Sequence, residues 1–229
     1  IRRQRQMCIR DSYKEIENRN LKFIDLIYNL QLAKEILLTF KWGNKKGFRH
    51  RFINLEDLIC FLISLKKVLA EYDSLRTFIK NLYDKAKDSN VEEPVEYVIK
   101  NLAQELRGHF PRNNNRNNLI PNPYGKSPFK RLNLFLRWLV RPYPDLGVWN
   151  FIDKRHLLVS LDNGILRTVS RIFNVQLPGG SVWKNVLKVT ELFREINPED
   201  PTKYDYVFSR PAIMGYCAKD PSRNKCYLC

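Results

Sequence analysis

The stretch SPFKRLNLFLRWLVRP, residues 127–142, predicts one helix that is apolar on most of its sides. Ser127 is a favoured N-cap residue, Pro128 suits the first helical position, and Pro142 ends the pattern. A surface helix carries a broad polar face, whereas this one has only a narrow polar line. We therefore expect a largely buried helix in the core of the fold.

The polar line on this helix is mainly cationic. At about 100° per residue its four members share a sector of about 80°. They are Lys130, Asn133, Arg137 and Arg141. Two placements are compatible with the line: it faces a cleft or hydrated channel, or its charged ends reach solvent between neighbouring helices while their stems stay buried. Arg131 interrupts the apolar remainder of the helix.

The spacing of apolar residues predicts helices along nearly the whole chain. The predicted helices span residues 21–40, 55–71, 75–87, 94–108, 127–142, 163–175, 182–196 and 201–217, with a kink at Pro211 in the last. Asn54, Ser181 and Asp200 are expected to start three of them. No strand, repeat or heptad run is predicted, so we expect an all-α protein.

Four native segments are expected after a non-native start. RRQRQMCIRDS, at residues 2–12, looks like a translated sequencing adapter, and residues 1–12 are left out of the fold prediction. The native segments are a first helical lobe 13–108, a long loop 109–126 rich in Asn and Pro, a second lobe 127–217 and a cysteine-containing tail 217–229. The abrupt ends suggest a truncated chain.

The formal net charge is +16 and the sequence pI is about 9.7. It stays strongly positive without the four arginines and one aspartate of residues 2–12. Such a charge favours a polyanionic partner, usually nucleic acid and less often a membrane surface, although a generally basic proteome would also explain it. No apolar run approaches the ~20 residues of a membrane span. The cysteine pattern is unlike a secreted disulfide framework, so we expect a cytoplasmic protein.

Lys130 occupies a position where an amine loses its proton easily. In the first turn of a helix the macrodipole disfavours an ammonium ion. The neighbouring Arg131 repels that charge, and burial would remove its hydration. A neutral lysine amine is a nucleophile that can form a Schiff base. The sequence therefore predicts a reactive lysine, against the alternative of a cation that simply reaches solvent.

An amine that attacks the C1′ atom of a sugar needs a nearby carboxylate to stabilise positive charge and help move protons. Asp162, in LVSLDNGILRTVSRIF at residues 158–173, is the candidate because it begins an amphipathic helix. Helix capping alone would also explain this aspartate. Arg167 and Arg171 lie one turn apart on the same helix and are candidate phosphate contacts, as is Lys126 in the long loop.

These residues resemble the helix-hairpin-helix superfamily of DNA glycosylases. LDNGILRTVSRIF is similar to the DTHVxRxxxRLG run of that superfamily, and a lysine stands early in a core helix before it. The chain also looks like a member of a largely uncharacterised bacterial and archaeal family related to these enzymes. That resemblance covers residues 46–217 and rests on GFRHRF, LIPNPYGKSPFKRLNLFLRWLVR, DLGVW and NPEDPTKYDYVFSR. The spacing of 32 residues between Lys130 and Asp162 resembles that of archaeal 8-oxoguanine glycosylases.

The resemblance implies a two-lobed, glycosylase-like helical fold and base-excision repair of DNA. Lys130 would act as the nucleophile and Asp162 as its acidic partner, on a damaged base flipped out of the duplex. Strand scission would follow by β-elimination, with no cofactor required. The candidate DNA-binding residues are Arg131, Asn133, Arg137, Arg141, Arg167, Arg171 and Lys126. The protein would act as a monomer on duplex DNA that carries a damaged or abasic site.

Two departures from the superfamily pattern keep a second function open. The usual LPGVG hairpin is absent between Lys130 and Asp162, and LPGG at 177–180 comes after Asp162, where we expect only a turn. LDNG also replaces the usual DTH or DVH. The alternative is a non-catalytic nucleic-acid-binding module of the same fold. A helical domain that binds RNA or a protein partner is a third possibility.

The candidate metal ligands are Cys217, Cys226 and Cys229, in a C-x8-C-x2-C spacing. Some members of the superfamily hold a [4Fe–4S] cluster with four C-terminal cysteines. The same cysteines could instead bind a zinc ion. Because only three cysteines are present here, an incomplete site or free cysteines are the alternative.

Overall fold

The computed structural model describes residues 16, 18–39, 41–42, 45–46, 49–50, 53–108, 119–220, 222 and 225. These residues are mostly helical, which confirms the all-α class at the coarse level. Among the described helices, none has both the length and the apolar character needed to cross a membrane. Residues 1–12 and 109–118, the adapter-like segment and most of the long loop, lie outside the described residues.

The structure gives bounds for nine α-helices in the described residues. They are α1 Phe23–Tyr28, α2 Leu30–Thr39, α3 Leu55–Tyr72, α4 Leu75–Asp88, α5 Pro94–Arg107, α6 Lys130–Val140, α7 Asn163–Ile172, α8 Trp183–Ile196 and α9 Asp205–Met214. Two short 3-10 turns span Lys154–His156 and Pro201–Tyr204. Asn54 caps α3 by accepting a hydrogen bond from the Asp57 N–H at 2.8 Å, as the sequence predicts.

Two short hairpins correct the prediction that the chain has no strands. β1 (Lys41–Trp42) pairs with β2 (Lys45–Lys46), and β3 (Arg49–His50) pairs with β4 (Ile53–Asn54), both antiparallel. A two-residue strand is too short to show an alternating apolar pattern, which is why the sequence does not reveal it. The hairpins do not change the fold class.

The predicted helix 21–40 is two helices in the structure. Asn29 separates α1 from α2, because its side chain accepts a hydrogen bond from the Leu32 N–H at 3.0 Å and so caps α2. The periodicity continues across Asn29, which hides the break from a pattern search. The helix cap formed by the Asn29 side chain therefore decides the helix boundary, although the apolar spacing continues through it.

The chain forms two compact units, residues 1–78 with 103–121, and residues 79–102 with 122–229. Residues 79–102, which the sequence analysis assigned to the first lobe, therefore cluster with the later residues of the chain. In the first unit, α1, α2 and α3 bury a common apolar core that includes Leu26, Ile36 and Leu62.

In the second unit, α7 packs along α9, and α8 packs on the 3-10 turn that precedes α9. Phe173, Phe193 and Phe208 form an aromatic cluster at the ends of these helices, with ring centroids 4.7 to 6.5 Å apart. This packing fixes α7, and therefore the residue that caps it, against the core of the unit.

Candidate active site

Lys130 is the first residue of α6, two residues later than the predicted helix start. Phe129 is the N-cap residue, in a left-handed conformation with φ 46°, and its ring is almost fully buried. The predicted capping by Ser127 with Pro128 at the first helical position is therefore wrong. Ser127 Oγ accepts a hydrogen bond from the Phe129 N–H at 3.3 Å instead. The physical reason is tertiary: the Phe129 ring packs edge-to-face on Trp183 at 5.5 Å.

Asp162 caps α7, as predicted. Its Oδ1 accepts hydrogen bonds from the N–H groups of Gly164 and Ile165, both at 2.8 Å. Two amides on one oxygen fix the orientation of the carboxylate. The second oxygen, Oδ2, is therefore left to face another group.

That group is Lys130. Its Nζ lies 2.6 Å from Asp162 Oδ2, so the two residues that the sequence paired across 32 positions are in direct contact. The lysine side chain is 44% exposed and the aspartate side chain 34%. The pair thus lies at the surface of the unit with both groups accessible to a ligand.

The Asp162 carboxylate is held in its charged form. Burial opposes its ionisation and is the largest single influence on its pKa. The hydrogen bond from Lys130, those from the Ile165 and Gly164 amides and the charge of Lys130 together outweigh burial, so the pKa of Asp162 lies below its ordinary value. At neutral pH the carboxylate that faces the Lys130 amine is therefore ionised.

Gly164, the second residue of α7, allows the carboxylate to sit where it does. A Cβ atom at this position would lie 3.0 Å from Asp162 Oδ1 and 3.1 Å from the Ala212 Cβ of α9. Both separations are shorter than ordinary contacts between carbon and its neighbours. The close approach of α9 and the cap therefore both depend on glycine here.

Arg137 and Arg141 lie inside the unit, which corrects their prediction as phosphate-facing residues. Arg141 Nε lies 2.8 Å from Asp200 Oδ2, and its Nη1 lies 2.7 Å from Asp145 Oδ2. Arg137 Nε is 3.3 Å from the same Asp145 oxygen, and its Nη1 is 3.7 Å from Asp205 Oδ2. Both guanidinium groups are thus engaged by protein carboxylates rather than presented to DNA.

The aspartates of this buried network were not predicted from the sequence as partners of the arginines. Two of them, Asp200 and Asp205, stand in NPEDPTKYDYVFSR, an otherwise polar and aromatic run, and Asp200 was expected only to start a helix. Asp205 is fully buried and accepts a hydrogen bond from the Ser160 N–H at 3.1 Å. Asp205 thereby connects α6, through Arg137, with the segment that leads into Asp162.

Asn133 is also buried rather than surface-exposed. Its Nδ2 donates to the Pro128 carbonyl at 3.0 Å, which holds the segment that enters α6. Among the residues that the structure describes, its Oδ1 has no hydrogen-bonding partner. A structural role at the start of α6 thus replaces the predicted contact with DNA.

A family comparison covers both residues of the ion pair. The family model described as "Protein of unknown function (DUF2400)" matches residues 16–214. The chain belongs to the DUF2400 family. No curated protein and no solved structure matches it.

Arg167 and Arg171 of the DUF2400 chain bind its own C-terminal segment. Arg167 Nε donates to the Cys217 carbonyl at 3.0 Å, and Arg171 Nη1 donates to the Ala218 carbonyl at 2.9 Å. These contacts correct the prediction that both arginines face phosphates. The two side chains fasten residues 217–218 to α7.

The predicted metal site is only partly covered by the described residues. Cys217 is buried, and its Sγ accepts a hydrogen bond from Arg171 Nη1 at 3.1 Å. Cys226 and Cys229 lie outside the described residues. In the described ranges, no three side chains of His, Cys, Asp or Glu gather at one point.

Three further residues are exposed on α6 or in the segment that leads into it. Lys126 precedes α6 and Arg131 follows Lys130, and both side chains are exposed. Trp138, two turns further along α6, is 48% exposed, although the sequence predicted an apolar and buried environment for most of this helix. The helix therefore turns its arginines Arg137 and Arg141 inwards and an aromatic residue outwards.

Proposed function

We propose that this DUF2400 protein is a DNA glycosylase with AP-lyase activity, with the two-lobed helix-hairpin-helix fold that its motifs resemble. The observation that carries the proposal is the 2.6 Å contact between Lys130 Nζ and Asp162 Oδ2. Two residues 32 positions apart meet at the N-terminal ends of two helices, with both functional groups accessible. The net charge of +16 supports a polyanionic substrate.

The proposed reaction replaces a base by the lysine. The Lys130 amine bonds to C1′ of the nucleotide while the bond between C1′ and the base breaks, and the base leaves with a proton. The sugar ring opens and an iminium forms between C1′ and Nζ. Loss of a proton from C2′ then expels the 3′ phosphate by β-elimination. At an abasic site the same amine condenses with the sugar aldehyde and releases water.

Asp162 would stabilise positive charge in this reaction. Since its pKa lies below the ordinary value, the carboxylate stays ionised at neutral pH. An anion 2.6 Å from Nζ also lies near any carbon to which Nζ bonds. It would therefore stabilise cationic character at C1′ more effectively than it would accept a proton. The lysine proton would pass to the leaving base or to water.

The DNA contacts in this proposal are the exposed cations beside the pair. Lys126 and Arg131 flank Lys130 in the chain and are exposed. A phosphate next to the extruded nucleotide would accept hydrogen bonds from both. Arg137, Arg141, Arg167 and Arg171 serve the protein's own structure in this proposal.

Trapping with borohydride tests the proposal directly. Duplex DNA with a single abasic site or a single 8-oxoguanine is incubated with the protein and reduced, which converts the iminium into a stable amine. A covalent adduct is expected from the unmodified protein, and Lys130→Gln should abolish it. Lys80→Gln is the matched control, because Lys80 forms an exposed ion pair with Asp84 on α4.

The outcomes separate chemistry from binding. An adduct with Lys80→Gln but not with Lys130→Gln supports Lys130 as the nucleophile. Asp162→Asn should slow trapping by about a hundredfold, the size typical of lost electrostatic stabilisation in an active site. The proposal is wrong if the unmodified protein gives no adduct with either substrate, or if Lys130→Gln gives as much adduct as the control.

The second candidate is a non-catalytic nucleic-acid-binding module. The same ion pair favours it, because a lysine held by a capping aspartate also joins two helices without any chemistry. This candidate predicts DNA binding without strand scission. Lys130→Gln would then change the affinity for duplex DNA only slightly, and no adduct would form with any variant.

A further inference from the structure

The turn before α8 together with the first residue of that helix, residues 178–183, is hydrogen-bonded to both segments that carry the ion pair. We call it the connecting turn. The Trp183 N–H donates to the Lys126 carbonyl at 3.0 Å, four residues before Lys130. Ser181 Oγ donates to Asn163 Oδ1 at 2.7 Å, and Asn163 directly follows Asp162. Ser181 is therefore not the predicted cap of α8, whose N-cap residue is Val182.

On the lysine side, the connecting turn supports a strained residue. Phe129 has φ 46°, a conformation that residues with a side chain rarely adopt. Its buried ring lies edge-to-face against the Trp183 indole. Because Phe129 immediately precedes Lys130, the position of its ring fixes the direction in which α6 and the Lys130 side chain begin.

On the aspartate side, the connecting turn holds the first residue of α7. Asn163 has its side-chain oxygen bound to Ser181, while Asp162 has Oδ1 bound to the Gly164 and Ile165 amides. The Ser181 bond thus restrains the backbone next to Asp162 from outside the helix. Oδ2, the oxygen that faces Lys130, moves with that backbone.

The connecting turn is itself braced. Gly179 and Gly180 have φ values of 83° and 74°, which glycine adopts without strain. Asn185, buried on α8, donates to the carbonyls of both Pro178 and Gly180, at 2.9 and 2.8 Å. The Trp183 Nε1–H donates to Glu96 Oε1 at 2.7 Å. The turn is therefore a fixed point for whatever it contacts.

We propose that the connecting turn sets the separation between Lys130 Nζ and Asp162 Oδ2, with Ser181 and Trp183 as positioning residues. Ser181 acts through Asn163 on Asp162, and Trp183 acts through Phe129 on Lys130. Neither side chain takes part in the reaction. The proposal deepens the glycosylase function above and rests on it for the effect on activity, whereas the effect on the geometry of the ion pair is independent of catalysis.

Ser181→Ala is the main test, with Ser181→Thr as the conservative variant. Ser209→Ala is the control, because Ser209 Oγ also makes one serine hydrogen bond, to the Tyr206 carbonyl of α9. The rate of borohydride trapping under single-turnover conditions should fall about tenfold in Ser181→Ala, since small displacements of reacting groups are costly. Ser181→Thr should restore the rate. The affinity for the same DNA should stay unchanged in all three variants.

A second measurement works without any catalysis. Reductive methylation with formaldehyde and cyanoborohydride modifies accessible lysine amines, and mass spectrometry reports the rate at Lys130. Lys130 should be methylated faster in Ser181→Ala than in the unmodified protein, because a loosened ion pair leaves the amine more accessible. Asp162→Asn, which removes the charged partner, sets the upper limit for that rate. Ser209→Ala should match the unmodified protein.

The two measurements distinguish two kinds of failure. In the first case, the unmodified protein forms the DNA adduct, and the rates of adduct formation and of Lys130 methylation are the same in Ser181→Ala. This result overturns the positioning role and leaves the glycosylase function intact. In the second case, no variant forms the DNA adduct, but Lys130 is methylated faster in Ser181→Ala. This result overturns the glycosylase function and retains the role of the turn. Failure of Ser181→Thr to restore either rate also overturns the role of the Ser181 hydroxyl.

Discussion

The Asp205 carboxyl group is the clearest case in which one residue sets a property of the protein. Burial is the largest influence on it and raises its pKa to about 7. The Ser160 amide and the guanidinium groups of Arg137 and Arg141 act in the opposite direction. Because an ordinary aspartate has a pKa of about 3.9, the folded chain binds a proton that the unfolded chain lacks between about pH 4 and 7.

Asp205 should therefore make the protein less stable as the pH rises through this window. The free energy of unfolding should fall by up to about 1 kcal/mol per pH unit between pH 5 and 7, relative to Asp205→Asn. Urea denaturation of both proteins at several pH values measures the difference. Equal pH dependence of the two proteins would contradict the prediction.

The comparison with Asp205→Asn is needed because other groups titrate as well. Burial lowers the pKa of His156. The contribution of this histidine to the free energy of unfolding therefore decreases as the pH falls, whereas that of Asp205 increases. Asp162, with its lowered pKa, also loses its contribution as the pH falls, but only at pH values below the window. Both effects are common to the two proteins and cancel in the difference.

At the scale of one element, α6 shows what periodicity can and cannot predict. The helical wheel correctly grouped Asn133, Arg137 and Arg141 on one side of the helix. It could not predict that this side faces inwards, because Asp200 and Asp205 lie far along the chain and only the fold brings them to the arginines. An arginine with a buried carboxylate partner and one that faces solvent look alike in a sequence.

The Lys130–Asp162 contact was more predictable than the helix ends around it. The sequence offered a reason for each residue separately, a reactive amine at a helix start and a capping carboxylate, and the resemblance supplied their spacing. The start of α6 was mispredicted because Ser127 and Pro128 are good starting residues by local rules. The packing of Phe129 on Trp183, 54 positions apart, determines the actual start.

The outward side of α6 leads to a prediction about DNA binding. Trp138 lies eight residues after Lys130, about 12 Å along the helix axis, and is nearly half exposed. Its neighbour in space is Leu146, whose N–H donates to the Trp138 carbonyl at 2.8 Å and whose side chain is exposed too. If the proposed function is right, an exposed indole on the helix that begins with Lys130 would be suited to stack on a base beside the extruded one.

Trp138→Ala should weaken the binding of abasic duplex DNA about tenfold, since stacking of a base on an aromatic ring is worth about 1–3 kcal/mol. Ile196→Ala is the control, because Ile196, at the end of α8, is exposed to a similar extent. Fluorescence anisotropy with labelled DNA measures both affinities. Equal affinities of the two variants would exclude a stacking role for Trp138.

At the scale of the whole molecule, both residues of the ion pair belong to one compact unit, residues 79–102 with 122–229. Its two helices α6 and α7 and the connecting turn therefore form the candidate site within a single core. The charge, in contrast, is a property of the entire chain. A net charge of +16 acts on a polyanion over distances that no single contact reaches.

Binding to duplex DNA should therefore depend strongly on salt. Three phosphate contacts or more would lower the affinity at least about fortyfold between 50 and 200 mM monovalent salt. A titration at four salt concentrations gives the slope of log K against log salt. A slope near zero would contradict nucleic-acid binding and favour a protein partner, while equal slopes and affinities for RNA and DNA would argue against DNA as the specific substrate.

The contacts around Gly164 restrict which residues can replace it as sequences of the DUF2400 family diverge. Position 164 contributes no side chain, yet any substitution there would press on the Asp162 carboxylate and on α9 together. One codon change would thus disturb the ion pair and the packing of the unit in the same event. Selection that retains the ion pair therefore also retains a residue that takes no part in it.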